Sequence, residues 1–410
     1  MKKLLLLEAN GNAGEDLLDA ASELGVQVYV ATHEDIYRNY RPAVRDKIAE
    51  VIFTDFTSQE IALKELSEFG RRTGIDGVIT GWEFFSPLVT RLAAELGLPG
   101  HDVHRAEACR NKRLMAHAFG EHEVPAPMTV TASDYTSVAG QLAASGLRFP
   151  LVVKPAENAG SIGVSVVSSA DELAAAFQLA QNWPYEFPHG VPLENTVLIQ
   201  EYVGGKEFSV ETVIFRGTVR HLAITEKFTT DNASRAELGH TVPADLAADS
   251  RAMLLDTVER ALAALGLRNG IAHTEIKLLP EGGAKIIEVG ARPPGDHIMK
   301  LVQHALGISE PRAYIQVALG EEPDLEPRSS AAAAIRFITP PRAGVFRGVG
   351  DIPRSPAIVE SAVYLAPGTE AKDPNDNVGR VGHLIVKAES QAEVNWIAAN
   401  LMDTIAVEVT

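Results

Sequence analysis

The chain has 410 residues, 46% of them apolar, and 37 lysines and arginines against 54 aspartates and glutamates, a formal net charge of −17. That length suggests two to four domains, and the acidic balance argues against nucleic acid or an anionic membrane surface as the main partner. A single cysteine, Cys109, excludes an intrachain disulfide and a multi-cysteine metal site and reads as a small buried or incidental side chain.

The opening MKKLLLLEANG holds a run of four leucines broken by Glu8, Asn10 and Gly11. A secretory segment needs roughly 7–15 apolar residues, and no window approaches the roughly 18 of a membrane span, so a cytoplasmic location is expected. Residues 1–100 then alternate strand and helix: LLLLEANG, EDLLDAASELG, VQVYVAT, TSQEIALKELSEFGRR, DGVITG and SPLVTRLAAELG. The fourth segment begins with a capping box from Thr57 to Glu60 and carries Ile61, Leu66 and Phe69 on one side. The sixth has Pro87 in its first turn and Gly97 at its end. Such alternation implies a parallel sheet. EANGNAG reads as a tight strand-to-helix turn, since it is neither GxGxxG nor GxxxxGK[ST], although the strand ends remain open to another ligand. Trp82, Phe84 and Phe85 of GWEFFSP read as core.

From 101 to about 330 the chain is denser in β-runs: LVVKP (151–155), VSVVSS, TVLIQEYV (196–203) and EFSVETVIF (207–215). One helix begins with a capping box from Ser169 to Glu172, and another runs from an Asp249 cap to Gly266. Lys112, in CRNKRLMAH, taken alone reads as a solvated helix charge. Lys154 closes LVVK before a small-residue turn with Gly160, Ser161 and Gly163, which lets backbone N–H groups and a hydroxyl approach phosphate. Glu201 and Glu207 bracket a two-glycine turn. From about 331 a last αβ unit is expected, with a strand GHLIVKA, a helix SQAEVNWIAANLMDTI and an exposed loop DPNDN (373–377).

The segment 271–292, IAHTEIKLLPEGGAKIIEVGAR, reads as a β-hairpin around PEGG. Symmetrical closure puts Leu279 opposite Ala284 and Glu275 opposite Glu288. Like charges across a ladder destabilise it, which points to a hard divalent cation taking both carboxylates; a solvated face is the alternative. Arg292 follows, held by Pro293 and Pro294, where a guanidinium can neutralise a developing acyl phosphate or oxyanion.

The order of these elements over roughly 100–330 resembles the ATP-grasp superfamily. The resemblance implies an α/β and α+β architecture in three parts: an N-terminal parallel αβ (pre-ATP-grasp) domain (1–100), a central ATP-grasp domain of two subdomains (101–330, flap about 125–205), and a small C-terminal αβ domain (331–410). It implies ATP and Mg²⁺ as cofactors, with Mn²⁺ as an alternative ion. Lys112 and Lys154 correspond to the lysines on the ATP phosphates. Gly160, Ser161 and Gly163 correspond to the closing flap, Glu201 and Val203 to the adenine-reading hinge, and Glu207 to the ribose ligand. Glu275 and Glu288 correspond to the magnesium ligands. The usual ExN asparagine is replaced by Gly290.

ExGAR, with TEK (225–227) and AELGHTVPADL (236–246), is similar to the bacilysin-type L-amino acid ligases. Glu237 and His240 are thereby implied to hold an amino group or acyl-phosphate oxygens, and Arg292 with the Gly295 N–H to form the oxyanion site. The expected partners are ATP, a small carboxylic or amino acid and an amine or amino acid acceptor, without nucleic acid or membrane; homodimers are frequent among such relatives. The expected activity is a carboxylate–amine ligase working through an acyl phosphate. Alternatives are a ligase loading a carrier protein, a purine-pathway-type formate or carbonate ligase, a nucleotide-binding regulator without turnover, and a nicotinamide oxidoreductase, for which the fingerprint is missing.

Overall fold

The computed structural model describes residues 1–230, 236–372 and 377–410. Its first part contains β1 (Lys3–Leu7), α1 (Asn12–Glu23), β2 (Gln27–Thr32), α2 (Glu34–Tyr37), α3 (Pro42–Arg45), β3 (Glu50–Phe53), α4 (Gln59–Thr73), β4 (Gly77–Thr80) and α5 (Ser86–Leu96). The four strands pair in parallel in the order β3-β2-β1-β4, as the alternation required. β3 and the two short helices escaped the sequence reading, because EVIF is a partly exposed edge strand of four residues with no turn signal before it. The Thr57 capping box does not form. Thr57 bonds Asp55 through its hydroxyl at 2.6 Å, and Ser58 occupies the N-cap without a side-chain bond. The inward stripe of α4 is Ala62, Leu66, Phe69 and Gly70, spaced i, i+4, i+7, i+8. Ile61 falls outside that stripe and is exposed.

The second part contains α6 (Lys112–Glu121), β5 (Thr129–Ala132), α7 (Val138–Ser145), β6 (Leu151–Pro155), β7 (Ser165–Val167), α8 (Ala170–Gln181) and β8 (Val197–Glu201). Its strands form an antiparallel sheet in the order β5-β8-β6-β7. The expected capping box from Ser169 to Glu172 does not form at α8. Glu172 accepts the Ser168 N–H at 2.8 Å, while the Ser169 side chain makes no cap bond.

The remainder contains β9 (Lys206–Phe215), β10 (Thr218–Thr229), β11 (Glu237–Val242), α9 (Ala248–Ala264), β12 (Gly270–Leu278), β13 (Ala284–Gly290), α10 (Ile298–Leu306), α11 (Glu310–Ala318), β14 (Ala332–Ile338), β15 (Gly344–Val349), β16 (Ile358–Val363), β17 (Glu370–Ala371), β18 (Gly382–Ala388), α12 (Gln391–Met402) and β19 (Val407–Val409). The expected Asp249 cap is instead a first-turn residue of α9, whose N-cap is Ala247; its charge still suits the helix N-terminus. One antiparallel sheet runs β13-β12-β9-β10-β11-β14-β18-β16. Strands from beyond residue 331 thus extend the central sheet, and α12 covers β14 and β18. Of DPNDN, residues 373–376 lie outside the described residues. Among those described, no helix is long and apolar enough to cross a membrane.

The β12–β13 hairpin forms, and Glu275 faces Glu288. The route to that pairing differs from symmetrical closure: Leu278, not Leu279, faces Ala284, and the ladder runs one residue out of step until a bulge between Glu275 and Ile276 restores it. A bulge of one residue re-aims side chains locally. Here it brings both glutamates to the same rung.

Candidate active site

A cleft of about 280 Å³ lies between the four-stranded flap sheet and the large sheet. Lys112, Lys154, Gly160, Ser161, Glu207, Glu237, His240, Glu275, Glu288, Arg292 and Gly295 all line it. Three expected residues do not. Gly163 sits behind the turn, where an added Cβ would lie 3.1 Å from the Trp183 indole nitrogen. Glu201 is ion-paired with Lys285 across to β13. The Val203 carbonyl accepts a hydrogen bond from Lys277 Nζ at 3.1 Å.

Local structure explains the placement. Asn111 caps α6 by accepting from the N–H groups of Arg113 and Leu114, which starts the helix with Lys112 turned inward. Lys112 is buried, donates to the Asn158 carbonyl at 2.6 Å and pairs with Glu288 at 2.9 Å; it is not the solvated charge its segment suggested alone. Lys154 arrives on β6 from the other sheet. Gly160 (φ 64°), Ser161 (φ 61°) and Gly163 (φ 77°) turn the chain between β6 and β7 through left-handed backbone, with Gly160 and Ser161 exposed. At Gly205 (φ 94°) a Cβ would meet the Leu278 carbonyl oxygen at 2.1 Å, so that turn demands glycine. A crevice lined by Met115, Phe119, Gln200, Ile286 and Ile287 adjoins both lysines.

Four residues to which the sequence reading gave no role of their own also line the cleft: Glu83, Lys227, His273 and Asp296. Glu83 accepts from Arg292 Nε at 2.9 Å and Nη2 at 2.5 Å; it was hidden among aromatic residues, of which Phe84 and Phe85 are indeed buried. Lys227, the lysine of TEK, is buried and lies 2.5 Å from Glu275, 2.7 Å from Glu237 and 3.4 Å from Glu207. His273 faces Glu211 across the β9–β12 ladder and bonds it at 2.8 Å. Asp296 takes His240 Nε2 at 3.0 Å and Arg380 Nη1 at 2.6 Å. An alternation count along β12 would have put His273 on the Glu275 side; the Asp296–Arg380 contact spans parts of the chain that no local pattern connects.

The electrostatics follow. Burial raises the Glu275 carboxyl, but Lys227 and His273 hold it well below the usual range. Burial drives Glu288 upward; Lys112 opposes this, while Glu83 and Glu275 add to it. Burial and the neighbouring Lys112 charge bring Lys154 down to about 8, against the attraction of Glu288. His273 is carried up to about 10 because Glu211 outweighs its burial.

Glu288 therefore rises although it is paired with a lysine. Burial is the main cause of that rise, while Arg292 and Lys227 keep Glu83 and Glu275 low; two carboxylates on one rung supply the hard oxygen ligands a divalent cation takes. Those residues fit such an ion. Arg292 lies beside Gly290, its Cγ and Nε 3.5 and 3.6 Å from where a Cβ would stand, at ordinary contact distance. Glu237, His240 and Asp296 also converge within 4.8 Å, but Lys227, Asn377 and Arg380 already satisfy their carboxylates, which disfavours a second ion there.

Three families match in series: an ATP-grasp N-terminal domain over residues 18–100, an ATP-grasp domain over 147–300 and an L-amino acid ligase C-terminal domain 2 over 336–410. An uncharacterized protein, y4rH, of Sinorhizobium fredii is 28% identical over 98% of this chain and 82% of its own length. The alanine–anticapsin ligase of Bacillus subtilis is 25% identical over 65% of this chain, and the match spans 59% of that ligase. The crystal structure of an L-amino acid ligase from Bacillus licheniformis superposes with a TM-score of 0.83 at 23% identity, covering 100% of this chain and 99% of the other; at that identity the likeness is one of fold.

Proposed function

Since the chain belongs to the ATP-grasp superfamily and ends in an L-amino acid ligase C-terminal domain, we propose that it is an ATP-dependent carboxylate–amine ligase joining a small carboxylic or amino acid to an amine or amino acid, with release of ADP and phosphate. The observation that carries this reading is the convergence of Lys112 and Lys154, Glu275 and Glu288, and Arg292 on one cleft.

In this reading Lys112 and Lys154 hold the ATP phosphates from opposite sheets, and the Gly160–Ser161 turn folds over them. The crevice of about 10 Å³ beside the lysines receives the adenine, which requires the two sheets to part on binding, with Glu201, Val203 and Glu207 at the hinge and ribose. Glu275 and Glu288 hold Mg²⁺, which supplies charge neutralisation on the phosphates. The substrate carboxylate attacks the γ-phosphate in line, giving an acyl phosphate and ADP; the amine then attacks the carbonyl carbon and phosphate leaves. Arg292 and the Gly295 N–H stabilise the oxyanion, and Glu237 and His240 orient the amino-acid substrate. Most of the rate gain is positioning and electrostatic stabilisation. A homodimer and a cytosolic location belong to the same reading.

The test is ADP release from Mg-ATP against the twenty amino acids singly and in pairs, with mass spectrometry. Release restricted to particular pairs, with a product mass equal to their sum less water, supports the reading. ATP binding without turnover across amino acids and simple amines would refute it and favour a regulator.

A further inference from the structure

The loop over residues 182–196 leaves α8 of the flap unit and enters the N-terminal αβ unit. Its first aromatic, Trp183, packs beside Gly163 of the flap turn. Its innermost residue, His189, has a fully inaccessible side chain. His189 Nε2 lies 2.6 Å from Glu8 Oε2, and Nδ1 lies 3.1 Å from Glu186 Oε1. Two carboxylate acceptors require both ring nitrogens to carry protons, so this is an imidazolium. Burial opposes that state, and the two glutamates outweigh it. Phe85 and Trp82 wall the ring at 4.8 and 5.2 Å, with Phe56 and His33 at 6.0 and 6.1 Å. Glu8 also accepts from Thr32, from the Tyr40 phenol and from the Asn10 N–H. The crevice at the strand ends, where open α/β sheets place ligands, is therefore filled by the chain's own loop.

The grip continues toward the cleft. Glu186 Oε1 also accepts from Trp82 Nε1 at 3.0 Å. The next residue is Glu83, whose Oε2 holds Arg292 through two donors. Two covalently adjacent residues thus connect a charged clamp in the loop to the guanidinium in the cleft. Glu83 begins a 3-10 turn with Trp82 at its N-cap, so the two side chains leave neighbouring positions of one short backbone segment.

We propose that the 182–196 loop is a positioning element for the reaction: its seating on Glu8 through His189 and Glu186 sets, through Trp82 and Glu83, where Arg292 stands. This inference rests on the ligase reading. Because Trp183 abuts the flap turn, closing of the flap and placement of Arg292 are linked through the same loop.

The deciding experiment is a double-mutant cycle with Trp82→Phe and Arg292→Lys, read in kcat, in KM for ATP and in thermal stability. Trp82→Phe keeps an aromatic ring and removes only the indole N–H that donates to Glu186, leaving the His189 contacts in place. Kcat is expected to fall roughly tenfold, the scale of a lost hydrogen bond to a charged group, with KM for ATP within about twofold. In the Arg292→Lys background the same substitution costs little further, because the guanidinium it positions has gone. His189→Gln, which can satisfy one of the two glutamates but not both, follows the same pattern. Equal losses in both backgrounds, or unchanged kcat in a folded Trp82→Phe protein, would overturn the inference. If the wild type releases no ADP with any substrate, the ligase reading fails by itself. The stability arm still decides the coupling: non-additive losses sustain it and additive losses refute it.

Discussion

Lys227→Met tests the charge balance of the cleft most directly. The Lys227 ammonium touches Glu237, Glu275 and Glu207 at 2.7, 2.5 and 3.4 Å, and its side chain is 2% exposed. Methionine preserves the stem and removes the charge, leaving three carboxylates whose side chains are 16–25% exposed. Breaking a buried pair from one side costs about 3–5 kcal/mol. Because these carboxylates retain some solvent and can take up protons, about 3 kcal/mol is the expected loss. At an unfolding entropy of roughly 2 cal/mol/K per residue, that lowers Tm by about 3–4 °C for a chain of this length unfolding as one unit. Mg²⁺ should recover most of the loss in the variant, because Glu275 is released for it, and do little for the wild type. Scanning calorimetry with and without the ion, in the absence of nucleotide, reads both effects. A variant as stable as the wild type, or an equal response to Mg²⁺, would refute the assignment of Lys227 as the counter-charge of this cluster.

Lys154, brought down to about 8 by burial and by Lys112, should regain its proton when ATP phosphates arrive. ATP binding at pH 8 is then accompanied by net proton uptake, seen as a buffer-dependent enthalpy in titration calorimetry and absent in Lys154→Met. The His273 pKa of about 10 lies above the roughly 6.5 of an unfolded histidine, so its contribution to stability is complete below about 6.5 and disappears as pH rises through about 10. Wild-type Tm should decline across that window relative to His273→Gln; parallel curves would argue against the Glu211–His273 pair. Arg292→Lys cannot reproduce the two-donor grip on Glu83 and should lower kcat by far more than it weakens ATP binding, as steady-state and equilibrium binding measurements will separate.

Periodicity carried much of the architecture. Alternating strand and helix before residue 100 specified a parallel sheet, and the runs around Lys154, Glu207 and PEGG marked strands that do form. Local signals failed where neighbours competed: Thr57 bonds Asp55 rather than capping α4, and the bulge beside Glu275 reset a register that counting reached by another path. In the cleft, Lys154, Glu288 and Arg292 were marked by their own segments and Lys112 only by the resemblance; all four line it. Their partners were not marked, since Glu83 is 209 positions from Arg292 and Arg380 is 84 from Asp296.

The sequence by itself determined which side chains are available, because strand alternation, glycine turns and the like-charged hairpin are properties of short segments. Tertiary structure decided which charges meet: that Lys227 neutralises three glutamates, that Glu83 holds Arg292, and that His189 fills the end of the N-terminal sheet. Coulomb energies depend on distance through space and on burial, and neither is fixed until the sheets close on one another.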